Sequence, residues 1–155
     1  MTLRSLFQPN NAKSGNLEEY SDGEVPFVSN SNLNNGVVRY VEPLSDDEVI
    51  IQVPCIAVNG FGFATIQTEP FIGAGNGGVH VIALIPKKPM TVLELAYYAA
   101  LLNYASWRFS YGRRAILRRL ERVTLDQFSL SPADVRSIQT EFEQRAAGVM
   151  RSVFK

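Results

Sequence analysis

Six of the eleven arginines in this 155-residue chain lie between residues 108 and 122, in R-F-S-Y-G-R-R-A-I-L-R-R-L-E-R. Glu121 is the only carboxylate among them, so the stretch is locally +5 in a chain whose formal charges cancel. Guanidinium is planar, permanently charged and forked. It matches phosphate oxygens and the guanine edge bidentately. Like charges packed this closely repel, and an anionic partner relieves the repulsion. The chemistry open to the stretch is therefore phosphate binding, with Arg108, Arg113, Arg114, Arg118 and Arg119 as the candidate contacts. Tyr111, interleaved with them, suits packing on a sugar or covering its own turn. The plain alternative is a solvated, arginine-rich helix face. Charge is also unevenly divided along the chain. Residues 1–107 carry 5 basic and 10 acidic side chains, and residues 108–155 carry 10 basic and 5 acidic. Such a chain can present one basic face and stay neutral overall.

A second polar feature is the amide-rich segment V-S-N-S-N-L-N-N-G at 28–36. Asparagine amides pair bidentately with adenine N6 and N7. Asn32, Asn34, Asn35 and, further on, Asn59 are candidates for base readout. The same residue types also favour turns, so loop geometry stays open as their role. DNA reading requires the arginines and this segment to face one groove wide enough for a duplex.

Other constellations carry less. Gly73-Ala-Gly75-Asn-Gly-Gly78 matches G-x-G-x-x-G, but Pro70 precedes it and a strand-like run follows, which is the wrong context for a dinucleotide site. Close packing, or backbone approach to DNA, suits it better. Asp46-Asp47-Glu48 reads as an acidic turn. With Glu69 it is also where a metal-dependent hydrolase would have to hide its site, and no E-x-K arrangement accompanies it. One cysteine, Cys55, and one histidine, His80, supply neither a disulfide nor a zinc site. Cys55 sits in the apolar run I-Q-V-P-C-I-A-V and reads as structural rather than as a nucleophile paired with His80. No Asn-Pro-Pro-aromatic signature of an amino-methyltransferase is present. The expectation is a chain with no catalytic centre, no cofactor and no metal. Lacking a signal-peptide core or a run of 18 apolar residues, it is expected in the cytoplasm without a membrane partner.

The elements that position these residues follow from pattern. Residues 1–24 read as a polar arm. Strands are expected at Val37–Val41, Glu48–Val53, Cys55–Val58, Phe63–Gln67 and Val79–Ile85, with C-I-A-V and V-H-V-I-A-L-I buried on both faces. Asn-Gly at 35–36 and 59–60, and Gly-Asn-Gly-Gly at 75–78, predict tight turns. Thr91-Val-Leu-Glu94 is a capping box opening a helix from Leu93 to about Ser106 with almost no polar face. Tyr111-Gly112 breaks it. A short basic helix at 113–121 follows, with Ile116, Leu117 and Leu120 on one side, then a short strand at Val123–Leu125. Ser131-Pro132-Ala-Asp134 starts a last helix, 132–153, whose apolar seam runs through Val135, Ile138, Phe142, Ala146, Val149 and Val153. That seam suits one partner helix, inside this chain or outside it. The fold class is α+β: a small mixed or antiparallel twisted sheet packed by a buried helix, with a C-terminal helix.

Three segments in order resemble a target recognition domain of the type I restriction–modification DNA specificity subunit. They are P-F-V-S-N-S-N-L-N-N-G-V-V-R-Y-V at 26–41, I-A-V-N-G-F-G-F-A-T-I-Q-T-E-P-F at 56–71 and Y-A-S-W-R-F-S-Y-G-R-R at 104–114. Asn34, Asn35 and Gly36 match the family's turn, Asn59 and Gly60 its central loop, and Tyr111, Gly112 and Arg113 its basic turn. The resemblance implies a recognition domain at 25–128 that reads a few base pairs of double-stranded DNA. It implies a spacer helix within 129–155 that packs against a second spacer, and methyltransferase or endonuclease subunits bound nearby, as in phage defence. A full specificity subunit has two recognition domains and two spacers. This chain has room for one of each, so it is similar to a half-subunit that pairs with itself or joins another chain. A non-catalytic assembly subunit that keeps the fold without reading DNA is the alternative.

Overall fold

The computed structural model describes residues 1–76 and 80–153, with side chains through residue 148. Two strands, β5 (Cys55–Val58) and β8 (Ile82–Pro86), determine the layering. Every residue of β5 is buried, as are the first three of β8. Successive side chains of a strand point to opposite faces, so a strand apolar throughout needs a cover on both sides. Ile56, Val58, Ile82 and Leu84 pack with Leu95, Tyr98 and Leu102 of helix α2 (Val92–Tyr104). Cys55, Ala57 and Ala83 pack the other way, against Phe27, Val41, Phe71 and Ile72.

The second cover is itself a sheet. The first sheet has the order β1-β8-β5-β6, with β1 at Phe7–Asn11 and β6 at Ala64–Gln67, and is antiparallel throughout. The second has the order β3-β2-β7-β4, with β2 at Asp22–Val28, β3 at Val37–Val41, β4 at Val49–Ile50 and β7 at Phe71–Gly73. It is mixed, since β2 and β7 run parallel. The fold is α+β, built as helix on sheet on sheet, with two four-stranded sheets where the sequence suggested one.

Residues 1–24 are not an arm. A single helical turn, α1 (Leu3–Leu6), leads into β1, which pairs along β8 from Phe7 opposite Pro86 to Asn11 opposite Ile82. Leu3, Phe7 and Tyr20 are buried. Three widely spaced apolar side chains in a polar context hide the strand from pattern reading, because β1 takes its register from β8.

Other boundaries moved for local reasons. The acidic run Asp46–Glu48 is a 3₁₀ turn, which shortens the expected Glu48–Val53 strand to β4. Glu48 Oε2 accepts from the Tyr20 hydroxyl at 3.0 Å and the Leu44 amide at 3.3 Å, so its carboxylate is engaged in the turn. Val123–Leu125 forms no strand. Val123 and Leu125 are buried, and the Leu125 amide donates to the Met1 carbonyl at 3.2 Å. The start of the expected strand at Val79 lies outside the described residues. Among the described residues no helix is long and apolar enough to cross a membrane.

Helix α2 starts as its capping box dictates: Thr91 Oγ1 accepts the Glu94 amide at 3.2 Å, and Glu94 Oε2 accepts the Thr91 amide at 2.7 Å. Near its other end Asn103 acts as a substitute strand. Its side-chain amide takes both backbone groups of Ala64, accepting from N at 2.7 Å and donating to O at 2.9 Å. That pairing covers part of the open edge of β6.

The last helix, α4 (Pro132–Val153), has the expected bounds. Ser131 and Asp134 close its start reciprocally, and the Ser131 hydrogen bonds hold the Asp134 carboxyl below its ordinary range. Its seam is open. Ile138 and Ala146 are exposed, Phe142 is 73 % exposed, and a groove of about 520 Å³ separates Val135, Ile138 and Phe142 from Val92, Leu93 and Ala96 of α2.

Candidate nucleic-acid interface

The arginine stretch does not form one helical ridge. After α2 come a 3₁₀ turn at Ser106–Arg108, a two-residue hairpin, and the single helical turn α3 (Leu117–Leu120). In the hairpin, Ser110 and Arg113 exchange both backbone hydrogen bonds at 3.0 Å, leaving Tyr111 and Gly112 at the tip. A Cβ at Gly112 would meet nothing within 4 Å, so the tip projects into open space.

Two contacts hold the base of this hairpin to the 59–63 turn. Phe109 lies so close to Gly62 that a Cβ there would sit 2.3 Å from the ring, and Gly62 has a left-handed φ of +80°. On the other side the Ala115 amide donates to the Gly60 carbonyl at 2.7 Å. The expected helix over 113–121 shrinks to α3 because Ala115 is tied to that turn instead.

Electrostatically the arginines are unneutralised. Glu121 bonds to Arg4. Among the described residues none of the six makes an ion pair. Arg108 lies over the Trp107 ring at 5.6 Å and Arg114 over the Tyr111 ring at 5.4 Å. Arg119 donates to the Arg114 carbonyl at 2.8 Å. Arg114 Nη1 is buried without a hydrogen-bond partner among the described residues. Arg113 is exposed.

Arg118 turns to a different neighbourhood. It lines an open cleft of about 810 Å³ with Lys13, Ser14 and His80. Pattern reading could not find Lys13 and His80 as its companions, because the fold of residues 1–24 is what carries Lys13 there. Gly75 belongs to this cleft too, and the glycine run packs closely. A Cβ at Gly75 would sit 2.3 Å from the Ala12 carbonyl oxygen, and one at Gly73 would sit 2.7 Å from Ala12 Cβ. Gly77 and Gly78 lie outside the described residues.

The amide segment docks on the β6 edge. Asn34 and Asn35 take left-handed backbone, φ 48° and 54°, followed by Gly36 at 80°. This is the conformation that asparagine and glycine adopt with least strain. Asn35 Nδ2 donates to the Ile66 carbonyl at 2.7 Å, and Gln67 Nε2 donates to the Asn35 carbonyl at 3.0 Å. Asn34 Nδ2 donates to the Val37 carbonyl at 3.2 Å. Asn32 is exposed and has no partner among the described residues. It lines a cleft of about 460 Å³ with Asn35 and Thr65, closed by Ala96, Ala99 and Asn103 of α2.

Asn59 holds the central loop. Its side chain is 4 % exposed and its Oδ1 accepts from the Phe61 and Phe63 amides at 3.0 and 3.1 Å. It therefore leaves the set of side chains free to meet a base. The left-handed residue of this turn is Gly62 and not Gly60, where the Asn-Gly pair pointed. Asn30, absent from the candidates, supplies the link instead: its Oδ1 accepts the Gly60 amide at 2.9 Å.

Asn30, Gly60 and Ala115 thus connect the amide segment to the hairpin, and Asn103 of the amide cleft is followed directly by the Tyr104–Arg114 run. The amide segment, through Asn30, and the hairpin base, through Phe109 and Ala115, touch the same 59–63 turn, while Arg118 opens onto the second cleft. Cys55 and His80 do not meet. Cys55 is buried between the sheets, and His80 lies beyond the far end of the β5–β8 ladder, which closes with Val58 opposite Ile82. Among the described residues no group of three His, Cys, Asp or Glu side chains is placed to hold a metal ion.

No family model, curated protein or solved structure matches the chain.

Proposed function

We propose that this chain binds double-stranded DNA sequence-specifically and supplies recognition to a partner that carries the chemistry. The observation that supports it most is the unneutralised charge. Arg4 takes the one carboxylate of the stretch, and five arginines from Arg108 to Arg119 are left with no ion pair among the described residues. The exposed amide of Asn32 is the candidate base-reading group. In the restriction–modification reading, which rests on the three resembling segments, the partner is a methyltransferase or endonuclease subunit and the complex acts in the cytoplasm. The open seam of α4 then meets a second copy or the spacer of another chain.

An electrophoretic shift with random-sequence duplex at low salt tests the proposal, followed by selection from a random pool. A shift at micromolar protein that resolves into one selected motif is the expected result. The open seam also favours a second reading, an assembly subunit whose basic surface meets an acidic protein. Absence of any shift points there.

A further inference from the structure

Three large aromatic side chains stand in solvent within eight residues: Tyr104 is 84 % exposed, Trp107 75 % and Tyr111 80 %. Leaving rings of this size in water forgoes burial that each could supply to a core. Two carry a stacked guanidinium, Arg108 on Trp107 and Arg114 on Tyr111. Tyr111 stands at the tip of a hairpin whose base is clamped by Phe109 on Gly62 and Ala115 on Gly60, so its ring rides on a fixed support. No carboxylate occurs anywhere in residues 95–120.

We infer that the Trp107–Tyr111 segment is a stacking surface for unpaired nucleobases, so that the chain prefers a single strand or a duplex with an extruded base over a perfect duplex. The inference rests on the nucleic-acid reading above and goes beyond it. Every base has a π face, so an aromatic side chain takes one without regard to sequence, and the neighbouring arginines take the flanking phosphates. A perfect duplex keeps its bases stacked and offers these rings only sugar and phosphate. An apolar protein partner fits less well, because the residues beside the rings along the chain, Arg108, Ser110, Gly112 and Arg113, are polar or cationic and no carboxylate offsets them.

Trp107 is the only tryptophan in the chain and reports its own environment. The test is its intrinsic emission in the full chain, titrated at one low salt concentration with oligo-dT, a blunt hairpin duplex, the same duplex with one bulged thymidine, and polyglutamate. Oligo-dT and the bulged duplex should quench Trp107 and bind more tightly than the blunt duplex. Tyr111→Ala should weaken both about tenfold more than it weakens the blunt duplex, with Tyr111→Phe restoring the difference. Circular dichroism verifies the fold of each variant. Blunt duplex binding with no preference for unpaired bases, or equal losses on all three ligands in Tyr111→Ala, overturns the stacking surface and leaves the DNA reading standing. Quenching by polyglutamate equal to that by oligo-dT reduces the hairpin to a charge contact and overturns it too. Binding to none of the nucleic acids removes the DNA reading and the stacking surface together.

Discussion

Asn30 Oδ1 accepts the backbone amide of Gly60 at 2.9 Å, across thirty positions of chain. Gly60 is buried, and its own carbonyl holds Ala115. One side chain therefore fixes the turn on which both the amide segment and the arginine hairpin depend. Asn30→Ala leaves a buried N–H without an acceptor and should cost about 1–3 kcal/mol in a urea melt. Asn30→Asp keeps the acceptor and should cost less. Equal stability of Asn30→Ala and the parent would show that the turn stands without this bond.

Backbone geometry separates the two roles open to Asn35. A left-handed φ penalises alanine and suits glycine. Both Asn35→Ala and Asn35→Gly lose the bond to the Ile66 carbonyl, and Asn35→Ala should be the less stable of the two by about 1 kcal/mol. Asn32 has no such constraint, so Asn32→Ala should leave the melt unchanged. If the amides read bases, Asn32→Ala shifts the motif selected from a random duplex pool. An unaltered motif in both Asn32→Ala and Asn35→Gly removes this segment from base readout.

The strands with both faces apolar were legible because burial on two sides leaves a continuous hydrophobic run, as in Cys55–Val58. Helices α2 and α4 were legible from their caps, where local chemistry alone sets the start. β1 was not, because F-Q-P-N-N has no pattern of its own and is a strand only by pairing with β8. The same gap concealed the cleft joining Lys13 to Arg118. Composition found the arginines but could not divide them, since the clamp at Gly60 and Gly62 is a tertiary contact. Asn59 was legible as a loop residue, and only the fold decides that its amide faces inward.

Burial between the two sheets pushes the Cys55 thiol up to about 12. In the unfolded chain it ionises near its ordinary value of about 8.5. The native state then holds the proton longer, so the contribution is fully present below that value and is lost as pH rises through it toward 12. Stability should fall along that alkaline limb more steeply in the parent than in Cys55→Ala, although the variant is less stable at pH 7 by about 1–2 kcal/mol. Native protein should also resist iodoacetamide at pH 8. Parallel alkaline limbs in parent and variant contradict the raised thiol.

Arg4 and Glu121 are far apart in sequence, and their pairing removes the arginine stretch's one internal counter-charge. The pair is partly exposed, so Arg4→Ala should change stability by no more than about 1 kcal/mol. It frees the Glu121 carboxylate beside the arginines and should weaken duplex binding a few-fold at low salt. Glu121→Gln does the reverse: it frees the Arg4 guanidinium and should strengthen binding. Opposite signs in these two variants are the signature of a phosphate contact nearby. The same sign in both would place the bound duplex elsewhere.

Salt gives the count of contacts. If Arg108, Arg113, Arg114, Arg118 and Arg119 each neutralise one phosphate, log K falls with log salt at a slope of about −4.5, or roughly 500-fold in affinity between 50 and 200 mM. Because Arg118 opens onto a separate cleft with Lys13 and His80, the five need not act together. Removing Arg113 and Arg114 should flatten the slope by about 1.8 and weaken all sequences alike, since phosphate contacts carry no base preference. Arg118→Ala should flatten it by about 0.9 only if the duplex reaches the second cleft, and a parent slope near −3.6 with Arg118→Ala unchanged would confine binding to the hairpin side. A slope near zero in the parent would mean that the arginines meet no phosphate, whatever else the chain binds.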